Sequence, residues 1–129
     1  MATYLDSSAI VKLAVREPES AALRRYLRRR RPLVSSALAR AEVARALLPG
    51  GEEAVVRGRD VLTRLDLLRV NDRVLHVAGT LLPVELRSLD AIHLASAQLL
   101  GSDLASLVSY DDRLSEAARQ LGYRVASPR

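Results

Sequence analysis

Short apolar stretches alternate with helical patterns along the whole chain, and this alternation limits the fold more than any other feature. Ala2–Leu5, Leu33–Ser35, Leu68–Val70, Leu104–Ser109 and Tyr123–Val125 read as strands. Helices are expected over Ser8–Val15, Glu19–Arg30, Ser36–Leu48, Glu52–Leu67, Asn71–Pro83, Ser88–Gly101 and Asp111–Leu121, with Ser7 available to cap the first. Pro18, Pro32, Pro49-Gly50-Gly51 and Gly122 supply the breaks. Nearly every pair of strands is thus separated by a helix, as parallel pairing requires. The expected architecture is a three-layer α/β/α domain around a mainly parallel sheet of about five short strands. With no Phe, Trp or Cys and only 4 Tyr, its core must be built from Leu, Val, Ile and Ala.

A chain of 129 residues, 49% hydrophobic and 27% charged, suits one compact domain over 1–129, without linkers or repeats. Absence of cysteine excludes disulfides, thiol nucleophiles and Cys-based zinc sites, and 2 histidines are too few for a zinc centre of their own. Met1-Ala2-Thr3-Tyr4-Leu5-Asp6 lacks the basic start and apolar run of a signal peptide, and no later stretch suits a bilayer span. A cytoplasmic protein with no membrane partner is the expectation. The 20 basic residues against 15 acids give a net charge of +5, carried by arginine except at Lys12. That excess is a field a polyanion would feel, which makes nucleic acid a reasonable partner.

In an open parallel sheet ligands bind beyond the carboxyl ends of the strands, so residues just after each strand are the first to inspect. Asp6 and Asp111 lie there. Both also suit a helix N-terminus, where a carboxylate accepts from orphan backbone N–H groups, and Asp90 near the start of its helix has the same alternative. Glu42 does not, because it lies inside a helix, flanked at four-residue spacing by Leu38 and Ala46. If the 38–42–46 stripe faces inward, the carboxylate needs a partner, either an arginine or a metal. Mg²⁺ and Mn²⁺ take oxygen ligands, and a pair of such ions supports phosphodiester cleavage, so four converging acids would have a chemical purpose. Spacing alone does not single out Asp6, Glu42, Asp90 and Asp111.

Four segments together resemble the PIN-domain family, especially the VapC-type ribonuclease toxins of bacterial toxin–antitoxin pairs. Tyr4-Leu5-Asp6-Ser7-Ser8-Ala9-Ile10-Val11-Lys12-Leu13 is similar to the family's opening strand and first acid. Val34-Ser35-Ser36-Ala37-Leu38 through Glu42-Val43 is similar to the segment bearing its glutamate, and Leu89-Asp90-Ala91-Ile92-His93-Leu94-Ala95-Ser96-Ala97 to its third acidic motif. Val108-Ser109-Tyr110-Asp111-Asp112-Arg113-Leu114, with Leu121-Gly122-Tyr123-Arg124-Val125 beyond it, matches the C-terminal pattern. The order and spacing agree over essentially the whole chain. Ser109 stands where the family commonly has Thr, which keeps the hydroxyl. Asp112 adds an ambiguity, since it can replace or assist Asp111, although the register with Ser109 favours Asp111.

The resemblance implies a PIN-like fold and a Mg²⁺- or Mn²⁺-dependent endoribonuclease. Asp6 and Asp90 would be direct metal ligands, Glu42 would orient a ligand or water, and Asp111 would complete a second metal position. Ser7, Ser109 and Asp112 would support them. It also implies a homodimer and a cognate VapB-type antitoxin, whose peptide would lie along a groove near the acidic pocket, on an exposed apolar surface among the first four helices.

Other residues have two readings each. His93, three residues after Asp90, fits a general base, but a hydrogen-bonded histidine in an Ala- and Leu-rich helix is the more ordinary outcome. Arg24, Arg25, Arg28 and Arg29, extended by Arg30 and Arg31, suit RNA phosphates or simply a solvated, dipole-favoured helix end. Tyr26 and Tyr110 suit base stacking or core packing. The alternative to catalysis is a silent PIN-like module binding nucleic acid or protein, against which the four acids count. A phosphatase or receiver reading lacks its second Asp after Asp6 and its late lysine.

Overall fold

The computed structural model describes residues 1–129. In chain order it contains β1 (Ala2–Leu5), α1 (Ser7–Ala14), α2 (Ser20–Leu27), β2 (Leu33–Ser36), α3 (Ala39–Leu47) and α4 (Glu52–Leu62). These are followed by β3 (Asp66–Leu68), α5 (Asp72–Gly79), α6 (Ser88–Gln98), β4 (Leu104–Val108), α7 (Asp112–Gln120) and β5 (Val125–Ala126). The five strands form one sheet in the order β3-β2-β1-β4-β5, and all four pairings are parallel. The expected three-layer arrangement is therefore present, with the chain winding outward from β1 in both directions.

Alternation along the strands divides the interior in two. Leu5, Leu33 and Val108 face a core shared with α1 to α4, including Ile10, Leu23, Val43 and Val55. Their neighbours Tyr4, Val34 and Leu107 face the opposite side, where Leu94 of α6 and Leu114 of α7 pack on them. On the first side α4 approaches α3 closely at Gly58: a Cβ there would stand 2.6 Å from Leu47 Cδ1 and 3.0 Å from Val43 Cγ1. No helix is long and apolar enough to cross a membrane.

Boundaries shift where pairing or capping overrides the local pattern. α4 stops at Leu62 rather than near Leu67. Thr63 Oγ1 bonds Asp60 O, the next N–H groups turn back on Val61 and Leu62, and Asp66–Leu68 is drawn into register with Val34–Ser36. β3 therefore starts two residues earlier than the sequence pattern suggests. β2 similarly extends through Ser36, so α3 starts at Ala39. β5 is Val125–Ala126 rather than Tyr123–Val125, set by pairing with Leu107 and Val108. α1 is capped by Asp6, whose side chain accepts from Ala9 N, not by Ser7.

Candidate active site

β1 is flanked by β2 on one side and β4 on the other, so the connections leaving β1 and β4 diverge and open a crevice at the carboxyl edge of the sheet. The first residue after β1 is Asp6, only 3% exposed. Its Oδ1 accepts from Ser8 Oγ at 2.6 Å and Ala9 N at 3.0 Å, and its Oδ2 from Ser109 Oγ at 2.5 Å. Burial pushes the carboxyl above its ordinary range, and the bonds from Ser109, Ser8 and Ala9 offset this only in part. Asp6 is thus both a helix cap and a buried acid.

Ser109, directly after β4 and fully buried, joins Asp6 to the last acidic segment: its Oγ also accepts from Asp111 N at 3.0 Å. Asp111 caps α7 by accepting from Leu114 N at 2.9 Å, and stands exposed at the rim. Asp90 enters from the first turn of α6. Its carboxyl is raised chiefly by burial and next by the charge of Asp111, with Asp6 adding to the repulsion; His93 and Arg87 pull the other way. None of Asp6, Asp90 and Asp111 forms an ion pair with a basic side chain. Asp112 is exposed and turns into an adjoining cleft of about 520 Å³ with Asp90, Arg87, Arg113 and Glu116.

Glu42 of α3 meets Ser7 of α1 and His93 of α6. The buried stripe of α3 is Ala39, Val43 and Leu47, so the 38–42–46 stripe lies about one residue's rotation away: Leu38 and Glu42 are half-buried and Ala46 is exposed. The partner of Glu42 is not an arginine. Its Oε1 accepts from Ser7 Oγ at 2.5 Å and meets His93 Nε2 at 2.6 Å. Burial raises this carboxyl, but the bond and charge of His93, with Ser7, outweigh it and hold the group below its usual range. His93 is 2% exposed, and its Nδ1 lies 2.8 Å from the Tyr4 hydroxyl.

The sequence gives no sign of Tyr4 or Ser8 at the site, and for His93 it favours the ordinary hydrogen-bonded histidine over a general base. The available clue was the one-turn spacing from Asp90 to His93, but only the fold reveals that Glu42, 51 residues away, faces it. The arginines also separate from the acids. Arg24 and Arg28 line a different cleft of about 270 Å³, with Arg31 and Arg64 above an apolar floor that includes Leu13, Leu27 and Leu65. Leu33 begins β2 and Leu65 immediately precedes β3, so this cleft lies at the amino edge of the sheet, away from the carboxylates. Arg25 and Arg29 are exposed outside it.

The donor types suit a hard cation, because Asp6, Asp90 and Asp111 offer carboxylate oxygens with no cationic side chain bonded to them, and Asp90 feels the charge of both others. In this conformation no three Asp, Glu or His side chains are gathered tightly enough to ligate one ion together.

A family model described as the PIN domain matches residues 3–120. The chain is 69% identical to Ribonuclease VapC46 of Mycobacterium tuberculosis strain H37Rv over 98% of each chain. It is 38% identical to Ribonuclease VapC47 of the CDC 1551 strain over 97% of this chain and 96% of the relative. Among solved structures, it superposes on M. tuberculosis VapC20, described as a sarcin-ricin loop cleaving toxin, with a TM-score of 0.78 at 18% identity, covering 98% and 99% of the two chains. PAE2754 of Pyrobaculum aerophilum gives 0.65 at 24% identity, covering 97% of this chain and 83% of the other. With its strand order, the matched segment and near-complete coverage of its VapC relatives, this chain belongs to the PIN-domain family.

Proposed function

We propose that the protein is a metal-dependent endoribonuclease and the toxin of a toxin–antitoxin pair. The observation that carries the reading is the set of carboxylates at the β1/β4 crevice, where Ser109 joins buried Asp6 to the Asp111 segment and none of Asp6, Asp90 and Asp111 has a basic partner. Such charge opposes a polyanionic ligand unless a cation intervenes, so a simple RNA-binding surface has no use for it. The names of the VapC relatives support ribonuclease activity.

Asp6 and Asp90 would hold Mg²⁺ or Mn²⁺ directly, and Asp111 would complete a second position. Bound there, such an ion supplies an activated water for attack at phosphorus and neutralises charge on the phosphate. Ser8, Ser109 and Ala9 N hold Asp6 in one orientation, while Ser109 ties its position to that of Asp111. Ser7 fixes Glu42, which orients a ligand or water. Arg87 and Arg113 line the adjoining cleft, where they are available to phosphates flanking the cut.

A cognate VapB-type antitoxin would occupy the amino-edge cleft rather than a groove near the acidic pocket, because its four arginines and apolar lining complement an acidic segment bearing aliphatic side chains. That assigns Arg24 and Arg28 to the antitoxin rather than to RNA. A homodimer would cover Leu75, Leu82, Val84 and Leu89, large apolar side chains exposed on and between α5 and α6. A cytoplasmic location suits an RNA substrate.

The deciding experiment incubates the protein with a structured RNA pool and Mg²⁺ or Mn²⁺, beside EDTA controls and an Asp6→Asn variant shown to be folded. Cleavage that needs metal and vanishes in the variant is expected. Equal cleavage by the variant would mean contamination or a misplaced site. RNA binding without cleavage would favour the silent binding module.

A further inference from the structure

The buried histidine of α6 is bonded to both β1 and α3. Its ring lies edge-on to Tyr4 of β1, with centroids 5.9 Å apart and planes at 79°. Nδ1 is 2.8 Å from the Tyr4 hydroxyl, and Nε2 is 2.6 Å from Glu42 Oε1 on α3. α3 buries Val43 and Leu47 in the core on one side of the sheet, whereas α6 buries Leu94 and Ala97 on the other. The His93–Glu42 bond therefore bridges the two outer layers over the carboxyl edge of the sheet.

We propose that His93, oriented by Tyr4, is a positioning residue that fixes the Glu42 carboxylate in the active crevice. The polarity of the relay follows from the chemistry of its members. Burial raises the Tyr4 phenol far above its usual range, so its oxygen keeps its proton. In the neutral ring Tyr4 donates to Nδ1 and the ring proton lies on Nε2, facing Glu42. In the charged ring Nε2 carries a proton as well, so either state donates to the carboxylate. Both this bond and the one from Ser7 fall on Oε1, which fixes the orientation of the group as a whole. The two bonds satisfy both ring nitrogens of a side chain that is 2% exposed, and one of them is made to a carboxylate of the crevice.

The kinetic consequence rests on the nuclease reading, but the structural and metal-binding consequences are measured separately. Three measurements test the proposal, with thermal melting run on every variant. Long-range ¹H–¹⁵N spectra of the imidazoles should show a proton on Nε2 of His93, with its signal displaced in Glu42→Gln. Calorimetric titration with Mn²⁺ alone should show at least tenfold weaker binding in His93→Leu, the scale typical of removing a residue that supports a ligand. Cleavage should lose 10- to 100-fold in kcat in His93→Leu with KM within about twofold, while His93→Gln, which retains a donor toward Glu42, stays within about threefold of wild type. In a Glu42→Gln background His93→Leu should cause no further loss.

A neutral His93 protonated at Nδ1 would overturn the proposal. So would unchanged Mn²⁺ affinity and kcat in His93→Leu, or a His93→Gln variant as impaired as His93→Leu at equal melting temperature. If the wild type binds Mn²⁺ but cleaves no RNA, the nuclease reading fails and the affinity ratios still decide the role of His93. A wild type that binds no Mn²⁺ overturns both.

Discussion

Replacing Asp6 by asparagine should abolish cleavage and, in EDTA at pH 7.5, make the protein more stable. The carboxylate is 3% exposed and lacks a cationic partner, so it carries a desolvation cost of several kcal/mol, order of magnitude, even after relaxation. Three donors return about 1.5–3 kcal/mol each as bonds to a charge, yet burial still leaves the carboxyl above its ordinary range. The balance is a net cost of the ionised form in the folded state, which asparagine does not carry. Asparagine preserves the cap, since Asn and Asp are equivalent there, and its Oδ1 can retain both Ser8 and Ala9. Its amide nitrogen then donates to Ser109 Oγ, with the loss of about one neutral hydrogen bond at most.

The variant should melt a few degrees higher than wild type by circular dichroism or calorimetry, since each kcal/mol corresponds to roughly 3–5 °C for a chain of this size. The pH dependence has a definite sign. Because the folded-state value of Asp6 is raised, the native protein binds more protons than the unfolded chain between the ordinary and the raised value. Wild-type stability therefore decreases as pH rises through that window, and the gap to Asp6→Asn should close as the solution is acidified toward pH ~4. Saturating Mn²⁺ should close the gap and then reverse it, because the cation binds the wild-type carboxylates and adds about 2.7 kcal/mol at a free concentration 100 times Kd. A variant melting below wild type in EDTA, or a gap independent of pH, would refute the electrostatic account and leave Asp6 as a structural cap.

Three further perturbations probe other parts of the molecule. Gly58→Ala gains up to about 1 kcal/mol of helix propensity but drives a Cβ against Val43 Cγ1 and Leu47 Cδ1; a net loss of roughly 1 kcal/mol is expected by guanidinium unfolding. Asp111→Asn should lower cleavage at least tenfold while Asp112→Asn stays within about threefold, because Ser109 ties only the former to Asp6; the reverse order would move the fourth acid to position 112. Charge reversal at Arg24 and Arg28 together should weaken antitoxin binding at least tenfold, measured by calorimetry, without changing RNA cleavage, since their cleft is at the far edge of the sheet.

The layered plan and the four acidic segments are legible in local patterns of the chain. Period-two and period-3.6 patterns are local, and so are the caps and breakers that punctuate them. The words around Asp6, Glu42, Asp90 and Asp111 likewise carry their own signal. Tertiary structure decided matters that depend on a partner distant in sequence. α4 yields Asp66 to a strand because β2 offers backbone partners there, and the inward stripe of α3 settles on Val43, placing Glu42 at the core's margin. The same packing turns His93 from an isolated polar residue of an apolar helix into the neighbour of Glu42 and Tyr4, 51 and 89 residues away. It also separates the arginines of α2 from the acids, because helices returning antiparallel to the strands bring their carboxyl ends to the amino edge of the sheet. Local sequence encodes which side chains are acidic or basic; the direction of each crossover determines which edge of the sheet receives them.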